Sequence, residues 1–139
     1  MDEATTRRIE KRISDRFGIR FLRAENGEAE AELTLREDDI NNMGVPFGGV
    51  LFNLADCAAG AAFRSLGTIG LTVSSEARFL RGAPDAKKLL ARAKVRKAGR
   101  SLGFVDASVE DDGGTELAAF TFLFTPYRKE LPWISDIKD

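Results

Sequence analysis

The feature that most constrains this chain is the stretch GGVLFNLADCAAGAAFRSLG, Gly48 to Gly67. It holds apolar residues on nearly every side, many of them small, and no proline, which predicts a buried helix of about 18 residues and about 27 Å. Gly67 is the expected C-cap. A helix without a polar face needs an envelope, and the chain supplies one. After Gly67 it reads as four successive strands: Thr68–Leu80, a stretch where Leu89, Ala91, Ala93 and Val95 alternate with Leu90, Arg92, Lys94 and Arg96, then Phe104–Glu110 and Leu117–Phe124. The breaks between them, Arg81 to Asp85, Ala98-Gly99-Arg100 and Asp111 to Gly114, carry turn chemistry.

The first third adds a helix over residues 3–16, ended by Gly18, and a hairpin. Its strands are Ile19–Ala24 and Glu28–Leu35, joined at Asn26-Gly27, a dipeptide suited to a two-residue turn. In the second strand Ala29, Ala31, Leu33 and Leu35 share one face, and Glu28, Glu30, Glu32 and Thr34 the other. Residues 36–46 read as loop. Strands that follow one another without helices between them argue for an antiparallel sheet, so the fold class is α+β, a curved antiparallel β-sheet wrapped around the long central α-helix. Its 139 residues suit one domain, with a tail over 128–139 that holds Trp133.

Composition narrows the chemistry. The chain has no His and one Cys, so a Ser-His-Asp triad, a Cys-His pair and every His- or multi-Cys metal site are excluded. Catalysis would fall to carboxylate, hydroxyl, amide and backbone groups, with no metal and no cofactor expected. The net charge of −1, from 21 basic and 22 acidic residues, gives no sign of a nucleic-acid or membrane-surface partner. The opening MDEATTRRIEKR lacks an apolar signal core, and the expected location is the cytoplasm.

Two features of the central helix carry possible chemistry. Gly48 and Gly49 would offer free N–H groups at its positive end, an arrangement that can serve as an oxyanion hole or can be no more than a turn. Asp56 interrupts the apolar run as a carboxylate partly withdrawn from water. The plainer account is that Asn53, Asp56, Gly60 and Arg64, at helical spacing, form a solvated or partner-facing stripe. Gly48 and Asp56 lie about 12 Å apart along the axis and about 80° around it. They cannot serve one carbonyl within one chain. If both act, they come from different subunits with antiparallel helices, which makes two equivalent sites in a two-fold dimer. Cys57 reads as a small buried hydrophobe. Arg81, Lys97 and Arg100 sit near strand ends where basic groups could meet phosphates, though scattered surface cations are the usual explanation.

The run from Asn41 through Gly44, Phe47-Gly48-Gly49 and on to Asp56 resembles the signature of hot-dog-fold acyl-CoA thioesterases, most closely the phenylacetyl-CoA thioesterase (PaaI-like) family. The resemblance covers about residues 17 to 127. It implies the hot-dog fold and hydrolysis of an acyl-CoA to the free acid and CoA by a homodimer, paired into a dimer of dimers. Within it, Asp56 is general base or nucleophile, the Gly48 amide polarises the thioester carbonyl, Asn41 places the carbonyl or the water, and Thr72 assists that water beside Asp56. Phe47 stands where the family has His, and with Gly49 it would meet the substrate. Phe47, Phe52, Phe63 and Phe79 are either acyl pocket or core. The alternative function is an acyl-CoA binding or sensing module without chemistry.

Overall fold

The computed structural model of the chain describes residues 1–131. Trp133 and the rest of the expected tail beyond 131 lie outside the described residues.

Helix α1 (Glu3–Phe17) starts where Asp2 accepts a hydrogen bond from the Thr5 amide and ends at Gly18, whose φ of 74° is the left-handed conformation expected of a glycine cap. Strands β1 (Ile19–Glu25) and β2 (Glu28–Thr34) form the hairpin. Asn26 and Gly27 both have positive φ, 52° and 80°, as a type I′ turn requires. A short 3-10 turn over Glu37–Asp39 follows, then the central helix α2 (Gly48–Arg64). Strands β3 (Ile69–Phe79), β4 (Lys88–Ala98), β5 (Gly103–Asp111) and β6 (Glu116–Tyr127) complete one six-stranded antiparallel sheet in the order β1-β2-β4-β5-β6-β3. This is the hot-dog arrangement.

The strand alternation decides which residues meet α2. Ala29, Ala31 and Leu33 of β2, Leu89, Ala91 and Ala93 of β4, and Val105, Ala107 and Val109 of β5 are buried in one core with Leu51, Leu54, Ala55, Ala58, Ala59, Ala61 and Ala62 of α2. Alanine facing alanine lets helix and sheet lie close, and the bulk comes from β6. Its Phe120, Phe122 and Phe124 stack along one face at centroid spacings of 5.8 and 6.0 Å. Burying a Phe or Leu side chain contributes about 1.5–3 kcal/mol, so this row anchors the fold.

Two expectations are corrected. Helix α2 ends at Arg64 with Ser65 as its cap, three residues before the helix expected to end at Gly67. The Ser65 hydroxyl donates to the Ala62 carbonyl (2.6 Å) and accepts from the Gly27 amide of the hairpin turn (2.8 Å), a tertiary contact that stops the helix early. Nor does the sheet envelop α2 completely. Gly49 is exposed and Asn53, Asp56, Gly60 and Arg64 are only half-buried, so the polar stripe is an open seam along the helix. Strand β3 borders that seam. It is an edge strand whose residues from Leu71 to Phe79 are all exposed, including Leu71, Val73 and Phe79.

Candidate active site

The loop before α2 is short of regular structure but not of hydrogen bonds. Asp39, buried, accepts from the Arg36 amide (2.8 Å), while its own carbonyl accepts from the Phe47 amide (2.9 Å). Ile40 bridges to Pro46, and the Asn41 amide donates to the Val45 carbonyl (2.8 Å). These bonds fix the angle at which the chain enters the helix. Nothing in the sequence singled out Asp39; the pairing of Arg36 with an acid three residues on was the available signal.

The Asn41 side chain is part of this scaffold. Its Oδ1 accepts from the amides of Met43 (2.9 Å) and Val45 (3.3 Å), an Asx-type turn that closes the loop on Gly44, whose φ is 78°. Only Nδ2 is left without a partner among the described residues. Asn41 therefore acts first as a turn residue.

Phe47 is the N-cap of α2 and brings no capping side chain. Its carbonyl accepts from the amides of Val50 and Leu51, which leaves those of Gly48 and Gly49 without an acceptor among the described residues. Both N–H groups stand at the positive end of the helix dipole, ready for an oxygen carrying partial negative charge. Space around them differs. A Cβ on Gly49 would meet nothing within 4 Å, whereas one on Gly48 would come within 3.3 Å of the Phe79 ring of β3.

Two turns along α2, Asp56 sits half-buried with its Oδ1 accepting from the Thr72 hydroxyl of β3 at 2.8 Å. Burial pushes the Asp56 carboxyl above its ordinary range, and the Thr72 hydrogen bond pulls it part of the way back. Thr72 lies beside a β-bulge at Thr72/Ser74 in the pairing of β3 with β6, a local irregularity of the kind that re-aims side chains. The structure thus brings Asp56 and Thr72 together within one chain, and keeps Gly48 two helical turns away.

The aromatic residues divide. Phe63 is 2% exposed and packs edge-on to Phe124, so it is core. Phe52 packs edge-on to both Phe120 and Phe122 and is half-buried. Phe47 and Phe79, 46% and 54% exposed, are free to line a binding surface at the start of α2. Cys57 is half-buried, and burial beside Asp56 pushes its thiol up to about 12, which keeps it protonated and inert as a nucleophile. Arg81 is occupied, donating to the Glu116 carbonyl at 2.8 Å. No described helix is long and apolar enough to cross a membrane.

A family model described as the thioesterase superfamily matches residues 43–118, which spans the loop, α2 and strands β3 to β5. A putative esterase of Archaeoglobus fulgidus is 32% identical over 83 residues, 60% of this chain and 54% of that protein, so the chain matches about half of that relative's length. A putative esterase of Deinococcus radiodurans is 30% identical over 82% of this chain and 77% of that one. The acyl-coenzyme A thioesterase PaaI of Escherichia coli is 29% identical over 75% of this chain and 74% of its own. The solved structure of E. coli PaaI superposes with a TM-score of 0.81 at 23% identity, covering 90% of this chain and 94% of that one, a likeness of fold.

Proposed function

The chain belongs to the thioesterase superfamily, whose chemistry is thioester hydrolysis, and we propose that it cleaves acyl-CoA thioesters at a site shared between two protomers. The observation that carries this reading is the Asp56–Thr72 hydrogen bond on the open seam of a helix whose first two amides have no acceptor among the described residues. The similarity to E. coli PaaI, named as an acyl-coenzyme A thioesterase, supports the substrate class.

In the proposed reaction the thioester carbonyl oxygen takes hydrogen bonds from the Gly48 and Gly49 amides, which stabilise the charge that builds on it. Asp56 receives the proton of a water that Thr72 helps to hold, and the water oxygen bonds to the carbonyl carbon. The carbon–sulfur bond then breaks, the thiolate takes up the proton held by Asp56, which restores the base, and acid and CoA leave. CoA is part of the substrate and no further cofactor is invoked. Direct attack by the carboxylate is the other role open to Asp56.

Two residues about 12 Å apart on one helix cannot flank one carbonyl, so the Asp56 of one protomer is paired in this reading with the helix end of its neighbour. The exposed edge of β3 supports a homodimer. An edge strand of 11 residues that presents Leu71, Val73 and Phe79 to solvent is a surface that isolated proteins avoid leaving open. A dimer of dimers is the further assembly we assign.

Phe47 favours a second reading, because it puts an exposed ring in place of an imidazole at the helix cap. On that reading the protein binds acyl-CoA without hydrolysing it. One assay separates the two. Thiol release from a panel of short, aromatic and long-chain acyl-CoAs should be measurable for the wild type. It should fall at least about a thousandfold in Asp56→Ala, a loss typical for removal of a catalytic group, with the oligomer unchanged. Tight binding of an acyl-CoA without thiol release would favour the binding module, and undiminished turnover by Asp56→Ala would refute the mechanism.

A further inference from the structure

Beyond Asp56 on the open seam stand Gly60 and then Arg64, each one turn further along α2. Helical side chains lean toward the N-terminus, and Arg64 does so. Its Nη1 lies 3.4 Å from the position a Cβ on Gly60 would take, so the missing side chain at residue 60 is the space the guanidinium overhangs. The rest of the group is enclosed. Nε and Nη2 are buried with no hydrogen-bond partner among the described residues, and Cζ lies 5.9 Å from the centroid of the Phe21 ring of β1.

A guanidinium with two buried, unpartnered nitrogens calls for an anion, and no nearby acid is hydrogen-bonded to it. Asp56 is bonded to Thr72. Cys57 is held as a neutral thiol. Glu10 of α1 feels the charge of Arg64, yet burial raises its pKa despite that attraction, and no hydrogen bond joins the two. The cleft of about 350 Å³ that Arg64 shares with Met1, Thr6, Glu10, Leu66 and Gly67 is lined by neither Asp56 nor Gly60, so it is not the side of the guanidinium that meets the seam. On the seam side a Cβ on Gly60 would meet only Nη1 within 4 Å, which leaves that face of the guanidinium open to a small anionic group.

The helix sets the distance. Gly60 lies four residues from Asp56, about 6 Å along the axis and about 40° around it, so Nη1, which overhangs Gly60, stands over the same polar stripe of α2 as Asp56. A thioester carbonyl at Asp56 and a carboxylate at Nη1 would be separated by about two or three methylenes. Resting on the thioesterase reading above, we propose that Arg64 is a specificity residue that binds the terminal carboxylate of short acyl-CoAs derived from dicarboxylic acids. The contact is a charge-assisted hydrogen bond from Nη1 to a carboxylate oxygen, which a neutral acyl chain of equal length cannot make.

The test compares glutaryl-CoA with pentanoyl-CoA, equal in carbon count and different in the terminal group. The wild type should favour glutaryl-CoA in kcat/KM by about tenfold or more, a typical return for one charge-assisted hydrogen bond. Arg64→Met should bring the ratio to about one through the KM for glutaryl-CoA, leave pentanoyl-CoA within about threefold, and Arg64→Lys should restore part of the preference. Calorimetric binding of the same two thioesters to Asp56→Asn reads the contact without turnover. If neither thioester is hydrolysed but glutaryl-CoA binds more tightly in an Arg64-dependent way, hydrolysis fails and the carboxylate contact stands. Equal binding and equal turnover of the two by the wild type would overturn the inference. So would an unchanged preference in Arg64→Met, including one accompanied by a lower melting temperature, which would make Arg64 a structural partner of α1.

Discussion

Two opposing influences set the charge of Asp56: half-burial against the apolar helix favours the neutral acid, and the Thr72 hydroxyl favours the carboxylate. A general base works when deprotonated, so activity should decline as pH falls through the Asp56 pKa, and burial places that decline above the ordinary carboxylate range. Removing the Thr72 donor takes away the influence that lowers the pKa. Thr72→Val should therefore move the acid limb of the kcat/KM profile to higher pH and reduce kcat by about tenfold to a hundredfold, the scale of one hydrogen bond to a charged group. A pH–rate series on both proteins reads it, and an unmoved acid limb would show that Thr72 does not hold the carboxylate. Asp56 was legible in the sequence because a lone acid in an apolar helix stands out. Its bond to Thr72 was not derivable from spacing, because the crossing of β3 over α2 is a tertiary fact; only the resemblance to a family pointed to it. Asn41 shows the reverse: the resemblance made it a substrate-placing residue, while its side-chain oxygen holds a turn within a stretch read as loop.

At the scale of elements, period-two alternation carried most of the information. The inward residues of β2 and β4 lie on the faces that the alternation picked out, and Asn26-Gly27 makes the expected turn. The end of α2 was not legible, since Ser65 caps it only by reaching the Gly27 amide of a distant hairpin. Close packing at the other end of the sheet was equally hidden. A Cβ on Gly103 would stand 2.4 Å from Cε1 of Phe63, and one on Gly70 2.9 Å from Cδ2 of the same ring, so two strands give up side chains to seat one phenylalanine. Phe63 is wedged between them and Phe124 and cannot simply turn aside. Gly103→Ala should accordingly destabilise the fold by about 1–3 kcal/mol, as overpacking a filled core does, which denaturant unfolding would register as a lowered midpoint. An unchanged midpoint would mean that the ring has freedom the structure does not suggest.

For the whole molecule the question is why an apolar edge strand and a polar helical seam lie side by side. Sequence gave β3 the same β-branched and small residues as a buried strand, because burial against a second chain and burial within one select alike. Only the sheet order, which puts β3 at an edge with its residues exposed, separates the two cases. Pairing that edge in a two-fold dimer would bring each Asp56 toward the other protomer's helix start. Gly48→Pro removes the amide at a position where the backbone suits proline, the first residue of α2 with Phe47 before it at φ −56° and ψ 141°, and its Cβ requires only the exposed Phe79 ring to give way. The most direct measurement mixes Gly48→Pro with Asp56→Asn, each inactive alone, under conditions that exchange subunits. A site shared between protomers predicts that each mixed dimer regains one intact site, restoring about a quarter of wild-type activity in an equimolar mixture. Mixtures that exchange subunits fully and stay inactive would contradict the shared site.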